Sequence, residues 1–416
     1  MDQVYKVVPS ILAFVAWLLS LLLGWLPYIG KYVVAFAGFL HNPPEWFVLA
    51  IAIAVPILFI VSVFPGIFAY TTLVERKALG RIQNRLGPNR VGRWGILQPI
   101  ADGLKLLTKE DIVPRRADAF VHFLAPVIAV IPSVLLFAVV PIGAGLIPVD
   151  LNIGILFAFA ISTASVLALF MGGWASRNKF SLLGAMRAVA QVVSYEVPMV
   201  LSAVAVVMAV GSLSTLAIAK AQSGGFLNVT RWFVFRPWGL VGFVLFTIGA
   251  MAESARTPFD IPEAESEIIA GYHTEYSGFK FALFQLGEYL ASIAMAGITV
   301  TMFLGGYNGP GSGPGIFGGL ISMFWFFLKL ACMIVLNIWI RGTWPRVRVD
   351  QLMGFAWKLL LPMAIVNIIA VGFWHYITFR PLAWVVTTLW LVVWFMVLTK
   401  LAATEKIAPR TYRYAS

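Results

Sequence analysis

IGILFAFAISTASVLALFMGGW, residues 153–174, contains no charged side chain. As an α-helix rising about 1.5 Å per residue, a run of this length crosses the roughly 30 Å hydrocarbon core of a bilayer. Comparable apolar runs lie near 7–27, 48–73, 119–141, 190–210, 237–252, 281–304, 318–340, 359–379 and 383–403. They predict an all-α polytopic membrane protein of about ten transmembrane helices. The whole chain agrees, with 60% hydrophobic and 12% charged residues and a mean hydropathy of +0.89. A soluble enzyme of 416 residues is not a serious rival.

The run at 7–27 is preceded by Asp2 and Lys6, a poor basic leader, and no small-x-small cleavage site follows it. It is read as an uncleaved helix, not a signal peptide. With ten spans, alternate loops face opposite sides. One set carries 24 of the 30 Lys and Arg residues, the other carries Lys31, Lys220, Arg231, Arg236 and Arg380, and Lys329 falls inside a span. Basic residues collect on the cytoplasmic side, so both termini and the charged loops are expected there. The net charge of +12 therefore belongs to loop asymmetry and not to a nucleic-acid surface.

A single cysteine, Cys332, excludes an intramolecular disulfide and any Cys-only metal or iron–sulfur site within the chain. The four histidines, His41, His122, His273 and His375, show no ligand-like pairing, so no metal is assigned. Redox centres, where needed, come from partners.

The loop beginning ERKALGRIQNRLGPNRVGRWG at Glu75 is the most basic segment. Glu75, Arg76 and Lys77 close a span, where they fit ordinary interfacial anchors as readily as a functional group. Gly87, Pro88, Asn89 and Gly92 specify a turn, and Ile96, Leu97, Ile100, Leu104 and Leu107 recur at helical spacing. A short amphipathic helix lying along the surface follows. The Lys-Ser or Lys-Thr ending of a phosphate loop is absent.

Acidic residues are distributed unevenly. Seven of the eighteen, Glu253, Asp260, Glu263, Glu265, Glu267, Glu275 and Glu288, fall between 253 and 288, and Glu196 lies inside an apolar span beside Tyr195 and Pro198. Pro198 frees a helix carbonyl near Glu196, opening room for water or a proton donor, while an interfacial carboxylate compensated by Arg187 or Lys179 is the plainer alternative. Pro258 and Pro262 prevent one helix from running from Glu253 to Glu267. A solvated acidic loop explains much of this window, but not Glu288, which interrupts an uncharged run inside the next span. A charge at the centre of a span costs about 2.5 to 3.5 kcal/mol on insertion scales, so such carboxylates point to charge or proton handling.

Four segments carry a resemblance. ERKALGRIQNRLGPNRVGRWGILQPIADGLKLLTKED, NKFSLLGAMRAVAQVVSYEVP, AESARTPFDIPEAESEIIAGYHTEYSGFKFALFQLGEY and RGTWPRVRVDQLMGFAWKLLLP resemble, in order, the H-subunit family of proton-translocating NADH-quinone oxidoreductase (complex I), the bacterial counterpart of mitochondrial NADH dehydrogenase subunit 1. The likeness spans about residues 48–379. It implies a membrane subunit, inactive alone, at the junction of the peripheral and membrane arms in a bacterial cytoplasmic membrane. Such a protein walls the tunnel by which quinone reaches an iron–sulfur cluster in neighbouring peripheral subunits. The chain would bind no cofactor of its own, with flavin and iron–sulfur clusters in partners and antiporter-like subunits alongside. Carried over by motif, Arg76, Arg85, Arg256, Phe259 and Asp260 line or organise the quinone path. Glu196, Glu253, Glu263, Glu265, Glu267 and Glu288 continue as a proton-coupling carboxylate chain. Residues 1–47 and 380–416 are expected to add a helix at each end of an eight-helix core, altering the edges that meet lipid or accessory subunits.

Two other readings share parts of this sequence. A homologous subunit of an energy-conserving hydrogenase or ferredoxin-dependent complex would have a different electron donor, and the presence of Glu288 leans away from it. A stand-alone secondary transporter would show a repeated pair of interrupted spans, and none is evident.

Overall fold

The computed structural model describes residues 44–144, 147–224, 229–261, 270–313 and 316–404. Among them the regular elements are helices. Eight are long and apolar enough to cross a membrane. The polytopic all-α class expected from hydropathy is what the chain adopts. The expected span at 7–27 and the segment holding Glu263, Glu265 and Glu267 lie outside the described residues.

Helix α1 (Glu45–Ile82) has 38 residues, more than a bilayer needs, and its C-terminal turns carry Glu75, Arg76 and Lys77. The sequence placed these three at a span's end; they are helical. The amphipathic element is α2 (Gln98–Thr108). Its Ile100, Leu104 and Leu107 form an exposed stripe, as expected of a helix lying along an interface. Asp118 caps α3 (Ala119–Leu136) by accepting from the Val121 amide. Then follow α4 (Gly154–Ala175), α5 (Lys179–Val210), capped by Asn178 and closed by left-handed Gly211, and the short α6 (Thr215–Ala221).

Helix α7 (Pro237–Glu253) is apolar but only 17 residues long, with proline in its first turn where an amide donor is not needed. It is followed by α8 (Gly278–Phe303), α9 (Ile316–Thr343), α10 (Val349–Phe355), a single π turn over Ala356–Leu360, α11 (Leu361–Tyr376) and α12 (Arg380–Thr404).

The interior is built where α5, α7, α8 and α11 meet, around Tyr195, Met199, Trp238, Phe246, Phe303 and Val371. About half of the apolar window of α5 and of α8 is buried, against less than a quarter in α1 and α12, which places the last two at the periphery. A lipid-facing surface needs no apolar cover, so the exposed leucines and valines of α12 are ordinary for a spanning helix.

Candidate functional site

A cavity of about 1100 Å³ opens between α1, α2, α8 and the segments flanking α9 and α10. One part of its wall is apolar, with Phe68, Leu106, Phe279 and Leu286, and another is charged. There Arg346 donates to Asp260 at 2.7 Å, and Arg76 donates to Asp102 at 2.6 Å. Both pairs join segments distant in sequence. The loop after α7 is tied to the loop before α10 a second time, because the Val347 amide donates to the Pro258 carbonyl at 3.3 Å. Burial pushes the Asp260 carboxyl above its ordinary range, and Arg346 opposes that rise. Its second oxygen, Oδ1, is buried with no hydrogen-bond partner among the described residues.

Behind this wall lies a second, smaller cavity of about 40 Å³, and Tyr289 and Arg341 border both. Its centre is Glu75, only 4% exposed. The Glu75 carboxylate accepts from Arg256 at 3.1 Å, from the Tyr289 hydroxyl at 2.9 Å and from Arg341. Such a space is large enough for water when lined by polar groups. A buried carboxylate needs compensation of this kind, and two guanidinium groups with a phenol supply it.

Two comparisons place this architecture. Residues 55–372 match the family described as NADH dehydrogenase. Among curated proteins, the H subunit of the NADH-quinone oxidoreductase of Dehalococcoides mccartyi (strain CBDB1) is 50% identical over 300 residues, covering 72% of this chain and 80% of that protein. The same-named protein of Bacillus thuringiensis subsp. konkukian (strain 97-27) is 47% identical over 334 residues, covering 79% and 95%. The chain belongs to this NADH dehydrogenase family.

In this family member the site residues singled out from sequence separate into groups. Arg76 and Asp260 line the large cavity. Arg256 lines the small one. Phe259 is buried against Tyr195, with ring centroids 5.2 Å apart, and its carbonyl accepts from Gln191 at 2.6 Å, so it holds the Asp260 loop against α5. Arg85 is exposed, donates to Gln83 at 2.6 Å and does not border either cavity.

The carboxylates fall into two neighbourhoods. Glu288 accepts from the Tyr272 hydroxyl, stands 3.5 Å from His273 Nε2 and lies within electrostatic range of Asp260 and Arg256. Glu196 accepts from Thr163 on α4. Glu253, at the end of α7, sits beside the neighbouring Ser162 and within range of Glu196, with its Oε2 buried and unpartnered among the described residues. Two consecutive hydroxyls on α4 thus stand against two carboxylates from two other helices.

Sequence reasoning missed Glu75, Arg341, Arg346, Tyr289, Tyr272 and His273 as site residues. A weak signal existed for Tyr289, which directly follows the anomalous Glu288. The turn carrying Tyr272 and His273 rests on a close approach: a Cβ on Gly184 would meet the Gly271 Cα at 2.7 Å, and Gly271 has φ +55°. Among the described residues no group of three or more His, Cys, Asp or Glu side chains is arranged to hold a metal ion.

Proposed function

We propose that this chain is the quinone-tunnel subunit of a proton-translocating NADH:quinone oxidoreductase, with residues 48–379 as the tunnel core and the charged loops facing the cytoplasm. The observation that carries the reading is the continuity from the large, partly apolar cavity through Tyr289 and Arg341 to the buried Glu75 cluster. A cavity of about 1100 Å³ exceeds an ordinary small-ligand pocket and suits a long hydrophobic molecule with a polar head.

Reduction of a quinone to a quinol consumes two electrons and two protons. The electrons arrive from an iron–sulfur cluster in a peripheral partner subunit, and this chain contributes the path and the field. Asp260, held by Arg346 at the charged wall, is placed to feel such a change of charge. Glu288 responds next, because it feels Asp260 on one side and Arg256 on the other. Coupled titrating groups pass such a change onward as altered protonation and not as a fixed wire. Glu263, Glu265 and Glu267, which follow Asp260 closely in sequence, belong to the same carboxylate chain, and Glu253 with Glu196 carries it toward antiporter-like neighbours.

Affinity purification of the tagged chain from its native membrane tests this reading. NADH-oxidising and antiporter-like subunits, with quinone reduction sensitive to tunnel inhibitors, are the expected companions. Recovery with a hydrogenase module, or alone with solute-transport activity, overturns it.

A further inference from the structure

The end of the molecule away from both cavities carries a cationic site with no carboxylate partner among the described residues. Helix α7 runs from Pro237, directly after Arg236, to Glu253, about 25 Å at 1.5 Å per residue, so Arg236 lies a full helix length from the Asp260 loop. There the Arg236 guanidinium sits 5.0 Å from the Phe233 ring, 5.9 Å from Trp238 and 5.7 Å from Trp374. Arg380, the first residue of α12, approaches the same Trp374 indole at 5.5 Å and donates to the Trp374 carbonyl at 3.4 Å. Two guanidinium groups therefore gather at one buried indole.

Neither arginine has a carboxylate within ion-pair distance among the described residues. Arg231 adds a third positive charge nearby, and burial together with Arg380 and Arg231 lowers the Arg236 pKa. The aromatic rings attract the guanidinium groups but do not neutralise them. An anion between Arg236 and Arg380 relieves the repulsion and takes up planar donors suited to phosphate oxygens.

The surroundings select the kind of anion. Phe235, Leu240, Tyr376, Phe379 and Trp384 around the pair are each at least 45% exposed. This is the aromatic and apolar collar of a membrane interface, where a phosphate arrives attached to acyl chains. We propose that an anionic glycerophospholipid binds here, its phosphate between Arg236 and Arg380 and its chains along α12. The lipid thereby joins the matched family core, which ends at residue 372, to the helix that follows it. This assignment does not depend on the quinone-tunnel reading.

The test uses the assembled complex extracted in mild detergent and exchanged into nanodiscs containing phosphatidylglycerol and phosphatidylcholine, with retained lipid measured by native mass spectrometry. Wild type is expected to retain phosphatidylglycerol in preference to phosphatidylcholine, and excess inorganic phosphate is expected not to displace it. The R236Q/R380Q variant is expected to lose that preference by roughly tenfold or more, since each basic group near a surface contributes appreciably to anionic-lipid attraction. R380Q alone, at an exposed side chain, shows a partial loss and serves if the double variant fails to assemble. Unchanged retention in R380Q and the double variant, equal retention of both lipids in wild type, or displacement by free phosphate would each overturn the proposal.

Discussion

Arg256 places its guanidinium 3.4 Å from the centroid of the Tyr289 ring, and both side chains donate to one carboxylate, Glu75. The arrangement joins the loop after α7, the middle of α8 and the C-terminal turns of α1 at a single buried acid. Arg341 at the end of α9 completes it. Four segments that approach the large cavity are thus held by one charge cluster, so its integrity and the shape of the cavity are linked.

Removing Glu75 leaves two guanidinium groups in a site with little solvent. Breaking a buried ion pair from one side costs about 3–5 kcal/mol, and Glu75→Ala is expected near the low end because Arg341 is partly exposed. Thermal inactivation of the assembled complex reads the loss. A double-mutant cycle sharpens it: Glu75→Gln with Arg256→Gln should be less damaging than the two single effects added. Simple additivity would mean the pair is not coupled.

Asp260 and Arg346 make a pH prediction. Burial raises the Asp260 carboxyl, so the native protein keeps this proton to a higher pH than the unfolded chain. The stability contributed by the protonated acid is full below the unfolded value and is lost as pH rises through the folded one. Arg346 opposes the rise, so Arg346→Gln should move the pKa further up and shift the acid limb of quinone reduction to higher pH. Arg346→Lys should restore most of the limb. If R346Q assembles with an unmoved limb, Asp260 is not the group that titrates.

The spanning helices were legible because about twenty apolar residues in a row have one economical solution in a bilayer. The surface-lying α2 was legible from the spacing of Ile100, Leu104 and Leu107. Glu75 was not. At the end of an apolar run a buried hub and a solvated anchor have the same local sequence, and the partners that distinguish them stand 181, 214 and 266 residues away. Asp260 was visible as an acid beside Phe259, but its partner Arg346 is 86 residues distant in another basic loop. The phase of Glu263 against Glu265 rests on residues outside those described.

Glu196 and Glu288 belong to the two carboxylate neighbourhoods, one against Thr163 and one against Tyr272 and His273. If both relay protons, replacing each with glutamine keeps the hydrogen-bonding shape and removes the exchangeable charge. The assembled Glu196→Gln/Glu288→Gln variant is expected to retain measurable electron transfer with fewer protons moved per electron. Wild-type pumping in that variant would falsify the relay.

Lys329 is a separate structural matter. Its ammonium group donates to the carbonyls of Leu304, Gly306 and Asn308 at 2.7, 2.9 and 2.5 Å, with the Trp232 ring 3.9 Å away. The three carbonyls lie just after α8 in a segment with positive φ at Gly305 and Gly306. Lys329→Met removes the common donor, and leaving buried acceptors unpaired costs about 1–3 kcal/mol each. Hydrogen exchange should rise over residues 304–308, whereas the same protection in K329M would show that the backbone fold, not the lysine, holds this loop.

Gly184 gives the most local test of how the cavity wall is positioned. A methyl group there meets backbone, the Gly271 Cα at 2.7 Å and the Gly271 carbonyl carbon at 2.9 Å, and backbone cannot swing aside as a side chain can. Gly184→Ala must therefore displace the 271–273 turn, which carries Tyr272 and His273 against Glu288 and brings His273 to the large cavity. The same substitution at Gly354, in α10, meets nothing within 4 Å and serves as the matched control. The expected result is a several-fold higher KM for quinone or a lower kcat in G184A, with G354A close to wild type and both variants assembling. Equal kinetics in the two would mean that the turn can shift without disturbing the cavity, and that its tyrosine and histidine do not position Glu288 for the reaction.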